Sequence, residues 1–192
     1  MNKIAKYDCV ESLKQKGDPV IIVSLVEEAE AVLNACNDAG IVVSAFCDNE
    51  SRKTKKPFCG LKVVHTPDLK KHFPNARFVI AHHNIKDCSR QLDELGYSEI
   101  YSSLELLKNY EVSKYKHRVT QYYMTSKILV SRATHDLYFD DSKTFLRSID
   151  VMITTKCSMN CKNCANLMQY YVDAKNTDEK STGKIPLQVP TE

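Results

Sequence analysis

The sequence has no tryptophan and only five glycines among its 192 residues. It also lacks an apolar run of the roughly 20 residues that a membrane-spanning helix needs, and its first ten residues, MNKIAKYDCV, contain no apolar stretch typical of a signal peptide. The charge is nearly balanced, with 27 basic and 24 acidic side chains. These absences predict a cytoplasmic protein without a membrane span, and the small net charge argues against nucleic acid as a partner.

Between residue 18 and about residue 110, the sequence alternates between two hydrophobic patterns. Short continuous apolar runs indicate strands that are buried on both faces, and the stretches between them have helical spacing. The predicted strands are PVIIVS, IVVSAF, GLKVV, RFVIAH and EIYSS. The predicted helices are LVEEAEAVLNACNDAG, TPDLKKHF, residues 85–95 and LELLKNY. Strands joined by helices form parallel crossovers, so the sequence predicts an α/β fold with a Rossmann-like open parallel sheet of about five strands.

The turn after the first predicted strand lacks the glycines of a dinucleotide-binding fingerprint. Those glycines let the backbone turn tightly and approach a pyrophosphate at the N-terminus of the next helix. This chain has VSLVEEAE there, so that Glu27 and Glu28 would repel a phosphate. The sequence therefore argues against NAD binding at this turn.

Four polar residues lie at the carboxyl ends of predicted strands, where open sheets bind ligands. Ser24 lies at the end of the first strand, Asp48 at the end of the second, and His82 and His83 at the end of the fourth. Asp48 could hold a ribose or sugar hydroxyl, or it could be a turn residue. Each histidine could contact a ligand or bond to the backbone. We treat these four residues as a candidate ligand crevice.

Two basic segments could contact an anion. The loop SRKTKKPF has four Lys or Arg residues and is either a solvated loop or a phosphate contact. Residues 108–132 have six basic side chains and one acidic side chain, interleaved with tyrosines. Such a mixture can bind nucleic acid, but surface tyrosines also pack well between domains. We interpret residues 111–142 as a linker or interface segment.

The eight cysteines form two groups. Cys157, Cys161 and Cys164 are clustered between a predicted strand at residues 149–153 and a predicted helix that begins with CANLMQYY. Three thiolates at this spacing can converge on one metal centre and leave a position open, whereas a structural zinc site normally has four protein ligands. The alternatives are a zinc site with His135 or a residue of a partner as fourth ligand, and a closed cluster of the ferredoxin type. The other five cysteines are scattered beside apolar residues, which is typical of small core side chains: Cys9, Cys36, Cys47, Cys59 and Cys88.

The string ITTKCSMNCKNCANLMQYY resembles the cluster loop of the radical SAM superfamily. With the Rossmann-like domain before it, the chain is similar to a group of bacterial radical SAM proteins, some of which belong to surface polysaccharide pathways. The resemblance implies that Cys157, Cys161 and Cys164 bind a [4Fe-4S] cluster whose fourth iron chelates S-adenosylmethionine. It implies radical chemistry on a small-molecule or sugar-type substrate, with flavodoxin or ferredoxin as electron donor. Asn163 stands where many members have an aromatic residue.

The resemblance also predicts the domain organisation. A Rossmann-like domain at residues 1–110 is followed by the basic linker, by the first strand, loop and helix of a partial TIM barrel at 143–172, and by a flexible tail at 173–192. A full barrel needs about 200 residues or more, so we expect the chain to be the N-terminal part of a radical SAM enzyme with an incomplete barrel. The alternative is a Rossmann-like module that binds a sugar nucleotide or a protein, with a cysteine loop that is vestigial or binds zinc.

Overall fold

A computed structural model of the chain describes residues 4–15, 17–144 and 146. In this part of the chain, five strands form one parallel sheet in the order β3-β2-β1-β4-β5. The strands are β1 (Val20–Val23), β2 (Val43–Asp48), β3 (Val63–His65), β4 (Arg77–Ile80) and β5 (Ile100–Ser102). The helices are α1 (Val10–Lys14), α2 (Glu28–Asp38), α3 (Leu69–His72), α4 (Ile85–Glu94), α5 (Leu104–Leu107) and α6 (Gln121–Phe139). The predicted α/β fold with a Rossmann-like parallel sheet is confirmed, whereas the predicted cluster loop and tail lie outside the described residues.

The sheet has a hydrophobic core on each face, which explains the continuous apolar runs in the sequence. Neighbouring side chains of a strand point to opposite faces, so Ile22 joins one core and Ile21 the other. The first core also contains buried residues of α2 and α5, and the second contains buried residues of α3 and α4. Helices therefore cover both faces of the sheet, as the alternating pattern predicts.

Helix α6 is the main element that the sequence pattern does not predict. It has 19 residues and lies in the segment interpreted as a linker or interface, where it packs against α2, α4 and α5. Its N-terminus is capped by the Thr120 side chain, which accepts a hydrogen bond from the Tyr123 N–H. Its buried residues are spaced four and three apart and form one stripe: Met124, Ile128, Ser131, His135 and Tyr138. Because two of them are polar, hydrophobic periodicity alone does not reveal the buried face.

None of the helices in the described part of the chain combines the length and apolar composition needed to cross a membrane.

Tyr138 connects α6 to the N-terminal segment. Its hydroxyl oxygen accepts hydrogen bonds from the N–H groups of Ile4 (2.8 Å) and Ala5 (3.0 Å). The substitution Tyr138→Phe should lower the free energy of unfolding by about 1–2 kcal/mol, because both N–H groups lose their acceptor. Urea unfolding would measure this loss. Tyr122→Phe on the same helix is the control, since Tyr122 is 87% exposed and its substitution should change little. Equal stability of the wild type and Tyr138→Phe would contradict the prediction.

Candidate functional site

A polar crevice lies at the carboxyl edge of the sheet, where the strand order reverses. The chain proceeds from β1 outward to β3 and then crosses to β4 on the other side of β1, which makes the carboxyl ends of β1 and β4 the switch point. A cavity of about 290 Å³ opens there and is lined by Ser24, Asp48 and His82. The His83 ring stacks on that of His82, with 4.1 Å between their centroids. The structure thus brings three of the four candidate residues to one cavity and places His83 beside it.

Ser24 has an unusual backbone conformation. Its φ of 74° lies in the left-handed region, which costs a residue with a side chain about 1–2 kcal/mol. Its N–H donates a hydrogen bond to the carbonyl oxygen of Cys47 (2.7 Å), which continues the pairing of β1 with β2 by one residue. The chain then turns away from the sheet toward α2. Ser24 therefore occupies the position where the first strand ends and the crevice begins.

Among the described residues, Cys59 is the other non-glycine residue with positive φ, and it has a local explanation. Cys59 (φ 48°) and Gly60 (φ 79°) form a two-residue turn whose flanking residues, Phe58 and Leu61, exchange two backbone hydrogen bonds of 2.9 Å. A two-residue hairpin turn of type I′ requires positive φ at both central positions. Ser24 lies between a strand and a helix, so a hairpin turn does not explain its positive φ.

Asp48 holds the loop around Ser24 in place. Its side chain is 9% exposed. One carboxylate oxygen accepts a hydrogen bond from the Leu25 N–H (2.7 Å), and the other accepts one from the Glu50 N–H (2.8 Å). The ammonium group of Lys53 lies 3.4 Å from the oxygen that Leu25 binds. Asp48 thus stabilises the turn after β2 through Glu50, and through Leu25 it links that turn to the loop after β1.

His82 and Asn84 organise the opposite side of the crevice. The His82 Nδ1 atom accepts a hydrogen bond from the Asn84 N–H (3.0 Å), so the neutral ring carries its proton on Nε2. The Asn84 side chain caps α4 by accepting from the Asp87 N–H (3.4 Å), and its amide group donates to the Asp87 carboxylate (2.5 Å). The Asn84 side chain therefore satisfies one N–H group at the N-terminus of α4, that of Asp87.

Further polar side chains in the crevice are paired within the protein. Asn49 and Gln91 exchange two side-chain hydrogen bonds of 2.9 Å. The Asp87 carboxylate accepts a hydrogen bond of 2.7 Å from Arg90. Asn49 and Gln91 were not among the predicted site residues, because their contact joins positions 42 residues apart. Asn49 directly follows β2, so its place at the carboxyl end of a strand could have identified it, whereas Gln91 lies within α4 and carried no such signal.

The cysteines of the described domain behave mainly as core side chains. Cys9, Cys36 and Cys47 are buried, as predicted, and Cys88 is partly buried in the wall of the crevice. Burial raises the pKa of the Cys88 thiol to about 11, although the nearby Ser24 hydroxyl opposes this rise. A thiol with such a pKa is protonated at neutral pH and is a poor nucleophile. The prediction was wrong for Cys59, which is exposed because it occupies the hairpin turn.

His135 connects α6 to the edge of the crevice. Its ring is fully buried, its Nε2 atom lies 3.0 Å from the His82 carbonyl oxygen, and its Nδ1 atom lies 2.6 Å from the Ser102 hydroxyl oxygen. A carbonyl can only accept a hydrogen bond, so Nε2 carries the proton and Nδ1 accepts from Ser102. The Ser102 oxygen in turn accepts from the Leu104 N–H (3.0 Å). Burial lowers the pKa of His135 to about 4, so the ring is neutral at pH 7.

Both ring nitrogens of His135 have hydrogen-bond partners inside the domain, which argues against its suggested role as the fourth ligand of a zinc site. In residues 4–15, 17–144 and 146, no group of three or more His, Cys, Asp or Glu side chains is arranged to hold a metal ion. Cys157, Cys161 and Cys164 lie outside these residues. Comparison with protein-family models, curated proteins and solved structures finds no match.

Proposed function

We propose that the chain is the N-terminal part of a radical SAM enzyme in which Cys157, Cys161 and Cys164 hold a [4Fe-4S] cluster. The observation that supports this proposal is the spacing of the three cysteines after a predicted strand and a Rossmann-like domain. Thiolates are the preferred ligands of iron–sulfur clusters, and three of them leave one iron open for S-adenosylmethionine. When bound, cluster and S-adenosylmethionine supply the radical chemistry, while the protein binds, orients and shields them from water.

The proposed substrate is a small molecule of sugar type, in keeping with the resemblance to proteins of surface polysaccharide pathways. The proposed electron donor is a flavodoxin or a ferredoxin. The proposed location is the cytoplasm, where reducing conditions keep thiols available as metal ligands.

Anaerobic reconstitution of the purified chain with iron and sulfide tests this proposal. We expect a coloured protein with broad visible absorbance and matching amounts of iron and sulfide. The triple substitution of Cys157, Cys161 and Cys164 by alanine should abolish the bound iron, since all three thiolates are removed. Cys59→Ala is the matched control, because Cys59 is an exposed cysteine of the sheet domain and its loss should leave the iron content unchanged.

Addition of S-adenosylmethionine to the reduced, reconstituted protein should change its electron paramagnetic resonance spectrum, because the ligand binds the open iron. Two results would contradict the proposal: an iron content that is the same in the triple variant, or tight binding of one zinc ion per chain with no iron bound after reconstitution. The zinc result would support the alternative of a zinc-binding loop.

A second candidate function is ligand binding by the Rossmann-like domain itself. It is favoured by the position of Ser24, Asp48 and His82 around one cavity at the switch point of the sheet. In this case the domain recognises a sugar nucleotide or a part of one. An increase in the melting temperature of the chain with a sugar nucleotide would support this function, and the absence of any increase across a panel of sugar nucleotides and their components would count against it.

A further inference from the structure

The left-handed conformation of Ser24 places a hydroxyl-bearing side chain in the crevice where a glycine would be the unstrained choice. Glycine adopts this conformation without steric cost, but it has no side chain. Ser24 lines the cavity and lies close to Cys88. Residues held in costly backbone conformations cluster at ligand sites, where the surrounding structure maintains them. Here Asp48 maintains the loop by binding the N–H of Leu25.

The charges around the crevice disfavour a phosphate group. Asp48 and Asp87 both line the cavity. The cation of the lining, Lys53, lies 3.4 Å from the carboxylate of Asp48 and 3.5 Å from that of Glu50, so its charge is already balanced. The N-terminus of α4, which could otherwise attract an anion, is capped by Asn84. A phosphate in this crevice would therefore find no cation in the lining whose charge is not already balanced by a carboxylate.

The remaining lining suits a small neutral ligand with several hydroxyl groups. The Ser24 hydroxyl can donate and accept hydrogen bonds, and the amide groups of Asn49 and Gln91, although bonded to each other, each keep one N–H and one oxygen lone pair for a ligand. The volume of about 290 Å³ is at the lower limit of small-molecule pockets and does not accommodate a dinucleotide. A sugar ring matches the hydrogen-bonding groups, because each of its hydroxyls can donate and accept. It also matches the volume, because it is much smaller than a dinucleotide.

We infer that this crevice binds the hydroxyl groups of a neutral sugar ring and that Ser24 is a ligand-binding residue. A free monosaccharide and the ribose of a nucleoside share this chemistry. The inference rests on the proposed ligand-binding role of the Rossmann-like domain and is independent of the cysteine loop, so its test needs neither iron nor S-adenosylmethionine.

Calorimetric titration of the full chain with glucose, N-acetylglucosamine, uridine and UDP tests the inference. We expect binding of a monosaccharide or of uridine, and no tighter binding of UDP than of uridine. Ser24→Ala and Ser24→Gly should each weaken this binding about tenfold, because both remove the hydroxyl. Ser24→Gly should also raise the melting temperature relative to Ser24→Ala, since it alone relieves the backbone strain.

Cys59→Gly is the matched control, because it relieves a left-handed conformation outside the crevice and should leave ligand binding unchanged. Binding of UDP more than about tenfold tighter than that of uridine would overturn the neutral-sugar inference while leaving the ligand-binding role of the domain in place. Ser24 variants that bind as tightly as the wild type would overturn the role of Ser24. If none of the four probes bound, the inference would fail, and if sugar nucleotides also did not bind, the ligand-binding function would fail with it.

Discussion

Lowering the pH from 6.5 to about 4 is expected to reduce the free energy of unfolding by about 3 kcal/mol through His135 alone. Burial, together with the proximity of His82 and His83, lowers the pKa of His135 from 6.5 to about 4 in the folded protein. Between these two values the unfolded chain takes up a proton that the folded protein does not. The stabilisation is therefore fully present above pH 6.5, and it is lost as the pH falls to about 4.

Urea unfolding at a series of pH values would measure this loss, and the variant His135→Gln would isolate it from other titrating groups. Glutamine can still donate a hydrogen bond toward the His82 carbonyl, but it does not titrate. The variant should be less stable than the wild type at neutral pH, and the difference should shrink as the pH approaches 4. His72→Gln is the control, because His72 is exposed on α3. A stability difference between wild type and His135→Gln that stays constant with pH would contradict the prediction.

The substitution Asp48→Ala is expected to lower the free energy of unfolding by about 3 kcal/mol. It removes a buried carboxylate that accepts two backbone hydrogen bonds, from Leu25 and Glu50, and that lies near Lys53. Hydrogen bonds to charged groups contribute about 1.5–3 kcal/mol each, and an unsatisfied N–H adds its own cost where it stays buried. The loop after β1 should also become less ordered, because Asp48 is its connection to the end of β2.

Asp48→Asn should have an intermediate effect, because the amide oxygen still accepts one of the two backbone hydrogen bonds. Urea unfolding would give the stabilities, and hydrogen exchange at the Leu25 amide would report the order of the loop. Asp93→Ala on the exposed surface of α4 is the control and should change neither quantity. Unchanged protection of the Leu25 amide in Asp48→Ala would show that the carboxylate does not hold the loop.

The sheet could be predicted because its signal is local. Each strand is a short apolar run that is buried on both faces. Each crossover except the one from β2 to β3 contains an α-helix, whose apolar residues have helical spacing. Both signals come from residues that are close together in the sequence. The crossover between β2 and β3 is instead a basic loop with one short 3₁₀ turn at Lys53–Lys55. The candidate positions Ser24, Asp48 and His82 could be predicted for a related reason, since the carboxyl ends of parallel strands meet at one edge.

Helix α6 and the hydrogen bonds of His135 could not be predicted in this way. The buried face of α6 includes Ser131 and His135, whose burial depends on partners distant in sequence. The burial of His135 is compensated by Ser102 and His82, which lie 33 and 53 residues away. A polar residue at such a position looks like a surface residue until its partners are known.

By itself, the sequence determined the α/β class of the described domain, the edge of the sheet where polar residues gather, and the cysteine spacing on which the radical SAM proposal rests. Only the tertiary structure decided that Asp48 binds the loop of Ser24, that Ser24 adopts a left-handed conformation, and that the charges of the crevice are balanced. The physical reason is that apolar periodicity is a property of neighbouring residues, whereas hydrogen bonding and charge balance depend on groups that meet only when the strands and helices pack together.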